Sequence, residues 1–243
     1  MSRLTVFLHG YTGHADSWDA VIARLPRGER AIAITLWGHD FDPNPTPTSF
    51  EKEVERVASI IRNETTDPVR ICGYSLGGRI AIGLLATQPA LIASALLIGA
   101  HPGLASPEER SARAASDEAW ASLAEREGSK AFATAWSAQP LFKSQLDLHP
   151  EAFEKRLRHS GPAMAIAMRA FSLATMPNFW PALEHIEAPT RFVAGELDRR
   201  FTELGKRIVA TMPHATLEIA PGCGHNVVLG NPVPIAQSLR ALD

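Results

Sequence analysis

The chain has 243 residues, of which 45% are hydrophobic and 21% are charged, and its formal net charge is −2. These values indicate a globular protein with one core and one insertion, and they exclude disordered and fibrous classes, a basic surface for nucleic acid and an acidic tail. No apolar run approaches the roughly 20 residues that span a bilayer, and two cysteines without metal spacing fit a reducing, cytoplasmic setting.

Two short apolar runs open the chain, at 5–8 and 30–36, with a helical segment at 16–25 between them. Both runs are mostly apolar and do not alternate strictly with polar residues, which indicates strands buried on both faces of a parallel sheet. We therefore expect the first run to lie centrally in the sheet.

A proline-rich connection at 42–47 follows, and it indicates a loop because proline cannot donate to a strand ladder. Thr48 is predicted to cap the next helix, with Glu51 three residues later completing a capping box. Apolar side chains at helical spacing then mark the face that packs on the sheet: Phe50, Val54, Val57 and Ile61.

A sharp turn is predicted where an apolar run at 69–72 meets Gly73-Tyr74-Ser75-Leu76-Gly77. Gly-x-Ser-x-Gly between a strand and a helix describes a nucleophile elbow, whose glycines allow a turn that raises the serine hydroxyl above the carboxyl edge of a parallel sheet. A helix at 79–87 is predicted to follow. Ser75 is therefore the candidate nucleophile.

The alternation of strands and helices stops after a fourth apolar run at 93–99. From 102 to 181 there is no β-like run, only helical segments rich in Ala, Glu and Arg. An insertion of this kind after a central strand predicts a helical lid over the carboxyl edge of the sheet. We therefore divide the chain into an α/β core, 1–101 and 182–243, and a lid insertion, 102–181.

Alternation resumes with strands predicted at 190–194 and 215–219 and helices at 202–211 and 234–242. Parallel strands need right-handed crossovers, and the crossover helices then cover both faces of the sheet. The pattern predicts an α/β fold with a doubly wound, mostly parallel sheet of about six to seven strands.

The two strand ends after the lid supply an acid and a base for Ser75. Asp198 follows the first of these strands and His225 follows the second, and the order Ser, Asp, His is that of α/β-hydrolases. A histidine within hydrogen-bond reach takes the serine proton, while the carboxylate fixes the tautomer of the imidazole. Glu196 could also serve as the acid; Asp198 is favoured because the acid in this fold usually follows the glycine by about three residues.

Backbone N–H groups of Tyr11 and Leu76 are the predicted oxyanion hole. We interpret His9 as a residue that braces this loop rather than as an acid or base. Cys223 has no base partner of its own and is interpreted as a packing residue.

Arginines distinguish this chain from a generic esterase. Arg79 lies one helical turn after Ser75, at a buried position beside the site, where a guanidinium requires an anion. That anion is either a substrate group or a carboxylate of the lid. Arg113 and Arg158 lie in the lid, where a solvated charged face is the default interpretation.

Several stretches together resemble one family, the 2-succinyl-6-hydroxy-2,4-cyclohexadiene-1-carboxylate synthases, over nearly the whole chain. These synthases are lyases of menaquinone biosynthesis with the α/β-hydrolase fold. The elbow and the histidine loop are shared by all α/β-hydrolases, whereas the lid motifs and the elbow arginine are more particular. The matching stretches are Val6 to Gly10, Gly73 to Arg79, His101-Pro102-Gly103-Leu104, Glu109-Arg110, Arg113, Ser116-Asp117, Trp136, Gln139-Pro140-Leu141-Phe142, Gly195 to Asp198 and Gly222 to Asn226.

The resemblance implies that Ser75, polarised by His225 and Asp198, removes a proton from the substrate ring and triggers the loss of pyruvate without an acyl-enzyme, a metal or a cofactor. The substrate it implies is a small polycarboxylate. The residues implied to bind the carboxylates or to line the pocket are Arg79, Arg113, Arg158, Tyr74, Trp136 and Phe142.

One loop departs from the family pattern. Leu36-Trp37-Gly38-His39-Asp40 stands where such proteins usually have Leu-Pro-Gly-His-Gly, which adds bulk and charge near the site. Two alternatives therefore stay open. One is a serine hydrolase, such as an esterase, thioesterase or carbon–carbon hydrolase, for a small carboxylate-bearing substrate. The other is a protein that only binds a small ligand, against which the intact triad argues.

Overall fold

A computed structural model describes residues 3–39, 41, 48–142 and 150–242. Asp40 and the proline-rich connection at 42–47 lie outside the described residues. Among the described residues, no helix combines the length and the apolarity that crossing a bilayer requires.

In the part of the chain that the structure describes, six parallel strands form one sheet, in the order β2-β1-β3-β4-β5-β6. The predicted parallel sheet is therefore confirmed. Strands β3 and β4 are at its centre, while β1, which we expected to lie centrally, is the second strand from one edge, between β2 and β3. The carboxyl ends of β1, β3 and β4 are level, since Leu8 is opposite Gly73 and Tyr74 is opposite Ile98. The strands are β1 (Leu4–Leu8), β2 (Arg30–Ile34), β3 (Val69–Tyr74), β4 (Ile92–Ile98), β5 (Thr190–Gly195) and β6 (Ala215–Ala220).

Helices cover both faces of this sheet, as double winding requires. The core helices are α1 (Asp19–Ile22), α2 (Phe50–Glu64), α3 (Leu76–Thr87), α8 (Arg199–Thr211), α9 (Val227–Gly230) and α10 (Pro232–Arg240). Apolar side chains of α2, α3 and α8 share one buried cluster with Val6 and Leu8 of β1. Those of α1 and α10 pack on the opposite face, where the cluster includes Phe7. Successive residues of β1 thus face opposite layers, which explains why the strand is apolar throughout.

The capping prediction for α2 is wrong by one residue. Ser49, not Thr48, is the N-cap: its backbone is extended, and its Oγ accepts a hydrogen bond from the Lys52 N–H at 3.3 Å. With the cap at Ser49, the third helical residue is Lys52, so Glu51 completes no capping box. The predicted apolar face of α2 is buried as expected.

Between β4 and β5 the described residues form helices and no strand. These helices are α4 (Pro107–Ser137, kinked at Gly128), α5 (Pro150–Leu157), α6 (Gly161–Ala170) and α7 (Trp180–Leu183). Helices α4 and α6 pack on each other around a small apolar cluster of their own, which includes Ala121, Phe132 and Met164. A separate cluster of this kind fits the proposal that 102–181 is a lid with its own packing.

Candidate active site

The turn between β3 and α3 holds Ser75 in a backbone conformation that side-chain-bearing residues rarely adopt. Its φ is 50° and its ψ is −105°, a conformation that costs on the order of 1–3 kcal/mol. Two hydrogen bonds from the turn fix it: the Ser75 N–H donates to the Ile98 carbonyl at 2.8 Å, and the Gly77 N–H donates to the His9 carbonyl at 2.9 Å. The elbow is thus tied to the ends of both neighbouring strands.

The two glycines of the motif are required by close backbone contacts. A Cβ on Gly77 would overlap the Leu8 carbonyl, and a Cβ on Gly73 would lie 2.6 Å from the Gly77 carbonyl carbon. Backbone atoms cannot give way as a flexible side chain can. The spacing Gly-x-Ser-x-Gly therefore follows from how tightly α3 approaches β1 and β3.

Ser75, His225 and Asp198 form a hydrogen-bonded triad. The His225 Nδ1 lies 2.7 Å from the Asp198 Oδ2, and the His225 Nε2 lies 3.3 Å from the Ser75 Oγ. A carboxylate only accepts, so Nδ1 carries the proton and Nε2 is left to accept the serine hydroxyl proton. Histidine and aspartate are both buried. The arrangement can activate Ser75 as a nucleophile or as a base.

Each partner of Ser75 is fixed by its own loop. Asp198 is the N-cap of α8: its Oδ1 accepts the Phe201 N–H at 3.2 Å, and its Oδ2 faces His225. The His225 ring packs 4.5 Å from the Phe201 ring, over Gly99, where a Cβ would lie 2.9 Å from the imidazole. Glu196, the alternative acid, is exposed and binds the Gly222 N–H at 2.8 Å, so it takes no part in the triad.

The predicted oxyanion donors are two amides beside the serine. Leu76 is the first residue of α3, and neither its N–H nor that of Tyr11 donates to an acceptor among the described residues. His9 braces the Tyr11 loop: its Nε2 accepts the Leu36 N–H at 2.9 Å and its Nδ1 donates to the Gly10 carbonyl at 2.8 Å. Burial lowers the pKa of His9 to about 3, so it stays neutral. Both amides remain our proposal for the oxyanion hole.

Arg79 is a buried guanidinium that forms no ion pair with any described residue. It lies one turn after Ser75 on α3, and within the described part of the chain its one hydrogen-bond partner is the Met176 Sδ at 3.9 Å. Burial, together with nearby Arg113, lowers its pKa to about 9. No lid carboxylate among the described residues forms an ion pair with it. The alternative of an internal ion pair therefore finds no support among the described residues, and we propose that Arg79 binds an external anion.

Arg113 lines the same cavity but already has a carboxylate partner. Its Nε donates to both oxygens of Asp117 at 2.8 Å, and the Ser172 hydroxyl donates to Asp117 at 2.7 Å. The pair spans one turn of α4. Arg113 can therefore donate its remaining N–H groups to a ligand, while Asp117 already balances much of the positive charge of Arg113.

Arg158 lies away from the Ser75 cavity. Its guanidinium binds the Asp16 carboxylate at 2.8 Å and stacks over Phe41 at 4.3 Å, with 46% of its side chain exposed. Arg156 faces inward instead and donates to the Thr12 and Ser137 hydroxyls. Arg156 lies in α5, whereas Arg158 is the first residue after this helix, and the two side chains point in different directions. We therefore propose that Arg156, rather than Arg158, has the predicted carboxylate-binding role.

Two cavities that described residues line adjoin each other beside Ser75. Ser75, Arg79 and Arg113 line one of about 340 Å³, and Arg156 lines a neighbour of about 420 Å³. The predicted aromatic side chains are at the boundary: Tyr74 and Phe142 line both cavities, and Trp136 lines the first. The Trp136 indole N–H is buried and has no partner in the part of the chain that the structure describes. It can donate to a ligand.

Sequence reasoning missed two features here. The Asp117 carboxylate holds Arg113, and the spacing of four residues in a predicted helix was the available signal for such a pair. Arg156 was missed because its inward direction depends on how α5 packs, which residue types alone do not give. Across the described ranges, no three histidine, cysteine or carboxylate side chains are grouped to bind a metal ion.

The sequence profile of the Alpha/beta hydrolase family matches residues 5–238. The chain belongs to the alpha/beta hydrolase family. Ser75, Asp198 and His225 fall in the family's chain order for the nucleophile, the acid and the base.

Within this family, the chain groups with the 2-succinyl-6-hydroxy-2,4-cyclohexadiene-1-carboxylate synthases. It is 32% identical to the 2-succinyl-6-hydroxy-2,4-cyclohexadiene-1-carboxylate synthase of Enterobacter sp. (strain 638) over 98% of this chain and 90% of the relative. It is also 32% identical to the synthase of the same name from Serratia proteamaculans (strain 568), over 97% and 91%.

Solved structures of alpha/beta hydrolases give a consistent result. MenH from S. aureus superposes with a TM-score of 0.94 at 26% identity, covering 99% of this chain and 92% of that chain. A thermophilic esterase from Thermogutta terrifontis superposes with a TM-score of 0.82 at 22% identity, covering 99% and 89%. The TM-scores show that the backbone of this chain is more similar to that of MenH than to that of the esterase.

Proposed function

We propose that this chain is a lyase that eliminates pyruvate from 2-succinyl-5-enolpyruvyl-6-hydroxy-3-cyclohexene-1-carboxylate and forms 2-succinyl-6-hydroxy-2,4-cyclohexadiene-1-carboxylate. The observation that carries the proposal is Arg79, a buried guanidinium without a carboxylate among the described residues, one turn from the triad serine. A neutral ester brings no negative charge to this guanidinium, whereas a polycarboxylate does. Menaquinone biosynthesis in the cytoplasm is the setting we propose.

The two names define the bonds that change. The proton on ring carbon 2 is acidic because that carbon lies next to the ketone of the succinyl group. When the proton leaves, a double bond forms between carbons 2 and 3, the 3,4 double bond moves to 4,5, and the bond from carbon 5 to the enolpyruvyl oxygen breaks. Enolpyruvate then takes a proton and becomes pyruvate, so no atom is added.

The triad supplies the base for this elimination. His225 accepts the hydroxyl proton of Ser75 as the serine oxygen takes the proton from carbon 2, and Asp198 holds the resulting imidazolium. Negative charge develops on the ketone oxygen, where the Leu76 and Tyr11 amides would stabilise it. The imidazolium returns its proton to the departing enolpyruvate. No acyl-enzyme forms, so Ser75 acts as a base.

The substrate carries three carboxylates, one on the ring and one in each side chain. Arginine guanidiniums match carboxylates with two parallel hydrogen bonds. Arg79 and Arg113 line the first cavity and Arg156 lines the second, and these are the groups that we propose bind the carboxylates. This distribution of cations supports a polyanionic substrate that extends across both cavities.

Release of pyruvate tests the function directly. Purified protein, mixed with the enolpyruvyl substrate and a lactate dehydrogenase and NADH couple, should oxidise NADH without added metal or cofactor. A hydrolase would leave this substrate intact and release an initial burst of phenol from aryl esters. That pattern would refute the lyase and favour the serine hydrolase. A protein that only binds a small ligand would release neither pyruvate nor phenol.

Arg156 and Arg158 form a matched pair that tests the placement of the third arginine. Arg156→Gln should lower kcat/KM for pyruvate release by roughly 30-fold, because a charge-assisted contact to a carboxylate is lost. Arg158→Gln removes the same charge two residues away and should change kcat/KM less than about twofold, since its exposed ion pair with Asp16 contributes little. Equal losses in the two variants would contradict the assignment.

A further inference from the structure

His101 and Arg200 lie beside the Ser75 cavity, and the elimination described above uses neither. His101 follows β4, and Arg200 is the second residue of α8, two positions after the triad aspartate. Both side chains line the cavity that contains Arg79 and Arg113. His101 is half-buried and Arg200 is exposed, which places the pair toward the mouth of the cavity.

The His101 ring has a fixed tautomer. Its Nδ1 accepts the Gly103 N–H at 3.0 Å, so that nitrogen carries no proton and the proton must be on Nε2. Across the described ranges, the Nε2 has no hydrogen-bond partner. Burial and nearby arginines lower the pKa of His101 to about 4, so the ring is neutral at pH 7. His101 therefore offers one N–H donor that no described residue accepts.

The surroundings of His101 are strongly cationic. Arg200, Arg79, Arg113 and Arg207 all lie close enough to lower its pKa. Only Arg113 has a carboxylate partner among the residues that the structure describes, since Arg207 stacks on the Trp180 ring at 4.7 Å. This corner of the molecule thus has more positive charge than its own carboxylates balance.

We propose that His101 and Arg200 together bind a second carboxylate of the substrate at the mouth of the cavity, apart from the one that Arg79 holds. The inference rests on the proposed function, because a substrate with three carboxylates needs more than one such site. The His101 N–H gives the site its direction, and Arg200 supplies the charge. Together they select for a polycarboxylate over a substrate with a single carboxylate near the reacting carbon.

Two substitutions at His101 separate binding from a structural role. His101→Asn keeps an acceptor for the Gly103 N–H and removes the donor that faces the cavity. His101→Gln places an amide N–H near the position of the lost donor. We expect His101→Asn to raise KM for pyruvate release roughly tenfold with kcat within twofold, and His101→Gln to recover part of the loss. Wild-type KM in His101→Asn would overturn the proposal.

Arg200 has a matched control in its neighbour Arg199, which is also exposed but does not line the cavity. Arg200→Gln should raise KM roughly tenfold and Arg199→Gln less than twofold. Because both groups bind one carboxylate, the His101→Asn/Arg200→Gln double variant should lose less than the product of the single losses. Equal losses in the two arginine variants, or strictly multiplicative losses in the double variant, would overturn the proposal.

Binding of an unreactive probe separates this proposal from the lyase assignment. Tricarballylate carries three carboxylates and can be titrated into the protein by calorimetry whether or not pyruvate is ever released. We expect His101→Asn and Arg200→Gln to raise its Kd about tenfold and Arg199→Gln to leave it unchanged. Failure of pyruvate release with this pattern would refute the lyase alone. Equal Kd values for wild type and His101→Asn, or no binding by wild type, would overturn the carboxylate site.

Discussion

Ser75→Ala should lower kcat for pyruvate release by at least about 10³-fold, the scale expected for losing a positioned base. Without the hydroxyl, the nearest group able to take the proton is the His225 imidazole, which the triad holds 3.3 Å behind the serine oxygen. The substrate would still bind, because Arg79 and the other cationic side chains are untouched. KM should therefore change far less than kcat, and single-turnover measurements should show the loss in the chemical step.

Ser75→Gly is the control that separates chemistry from folding. Ser75 has a φ of 50°, so a residue without a Cβ should relieve backbone strain and raise the free energy of unfolding by about 1 kcal/mol. Alanine keeps the Cβ and should leave stability near that of wild type. Urea unfolding of all three proteins checks this order. A glycine variant less stable than wild type would contradict the strain, and turnover in either variant above about a tenth of wild type would remove the triad from the mechanism.

The triad could be predicted from sequence because its geometry depends on topology. Ser75, Asp198 and His225 each follow a strand, and parallel strands bring their carboxyl ends to one edge of the sheet. Chain order and apolar runs are enough to place them. The glycines of the elbow are readable for the same reason, since the turn between a strand and a helix packed on it is a local feature.

The binding residues could be predicted only in part because their contacts are not local. Arg158 pairs with Asp16 across 142 positions of sequence, and only the packing of α5 decides that Arg156, rather than Arg158, faces inward. Among the described residues no carboxylate forms an ion pair with Arg79, and this depends on the positions of all the lid side chains. Thr48 and Ser49 are both residue types that cap helices, so residue type narrows the start of α2 to these two positions without fixing it.

Arg79→Met should lower kcat/KM by about 10³-fold, since truncating one partner of a desolvated charge pair costs on the order of 2–5 kcal/mol of complex stability. Methionine has a similar length and no charge. Arg79→Lys retains the charge and loses the fork of N–H donors that matches a carboxylate, so we expect an intermediate loss. Steady-state kinetics of pyruvate release measure both. A kcat/KM of Arg79→Met within threefold of the wild-type value would refute the anion-binding role.

The same substitution should stabilise the free protein. A buried guanidinium whose one described hydrogen-bond partner is a thioether lowers stability, because its desolvation is not balanced by an anion. Replacing it with methionine should raise the free energy of unfolding by about 1–3 kcal/mol, as replacement of buried ionic groups by apolar ones of similar volume often does. Succinate or tricarballylate should stabilise wild type more than the variant, in which the other cationic side chains of the cavity remain. A residue whose replacement stabilises the fold but abolishes turnover is retained for binding its ligand. If Arg79 instead formed an internal ion pair, its replacement would destabilise the fold.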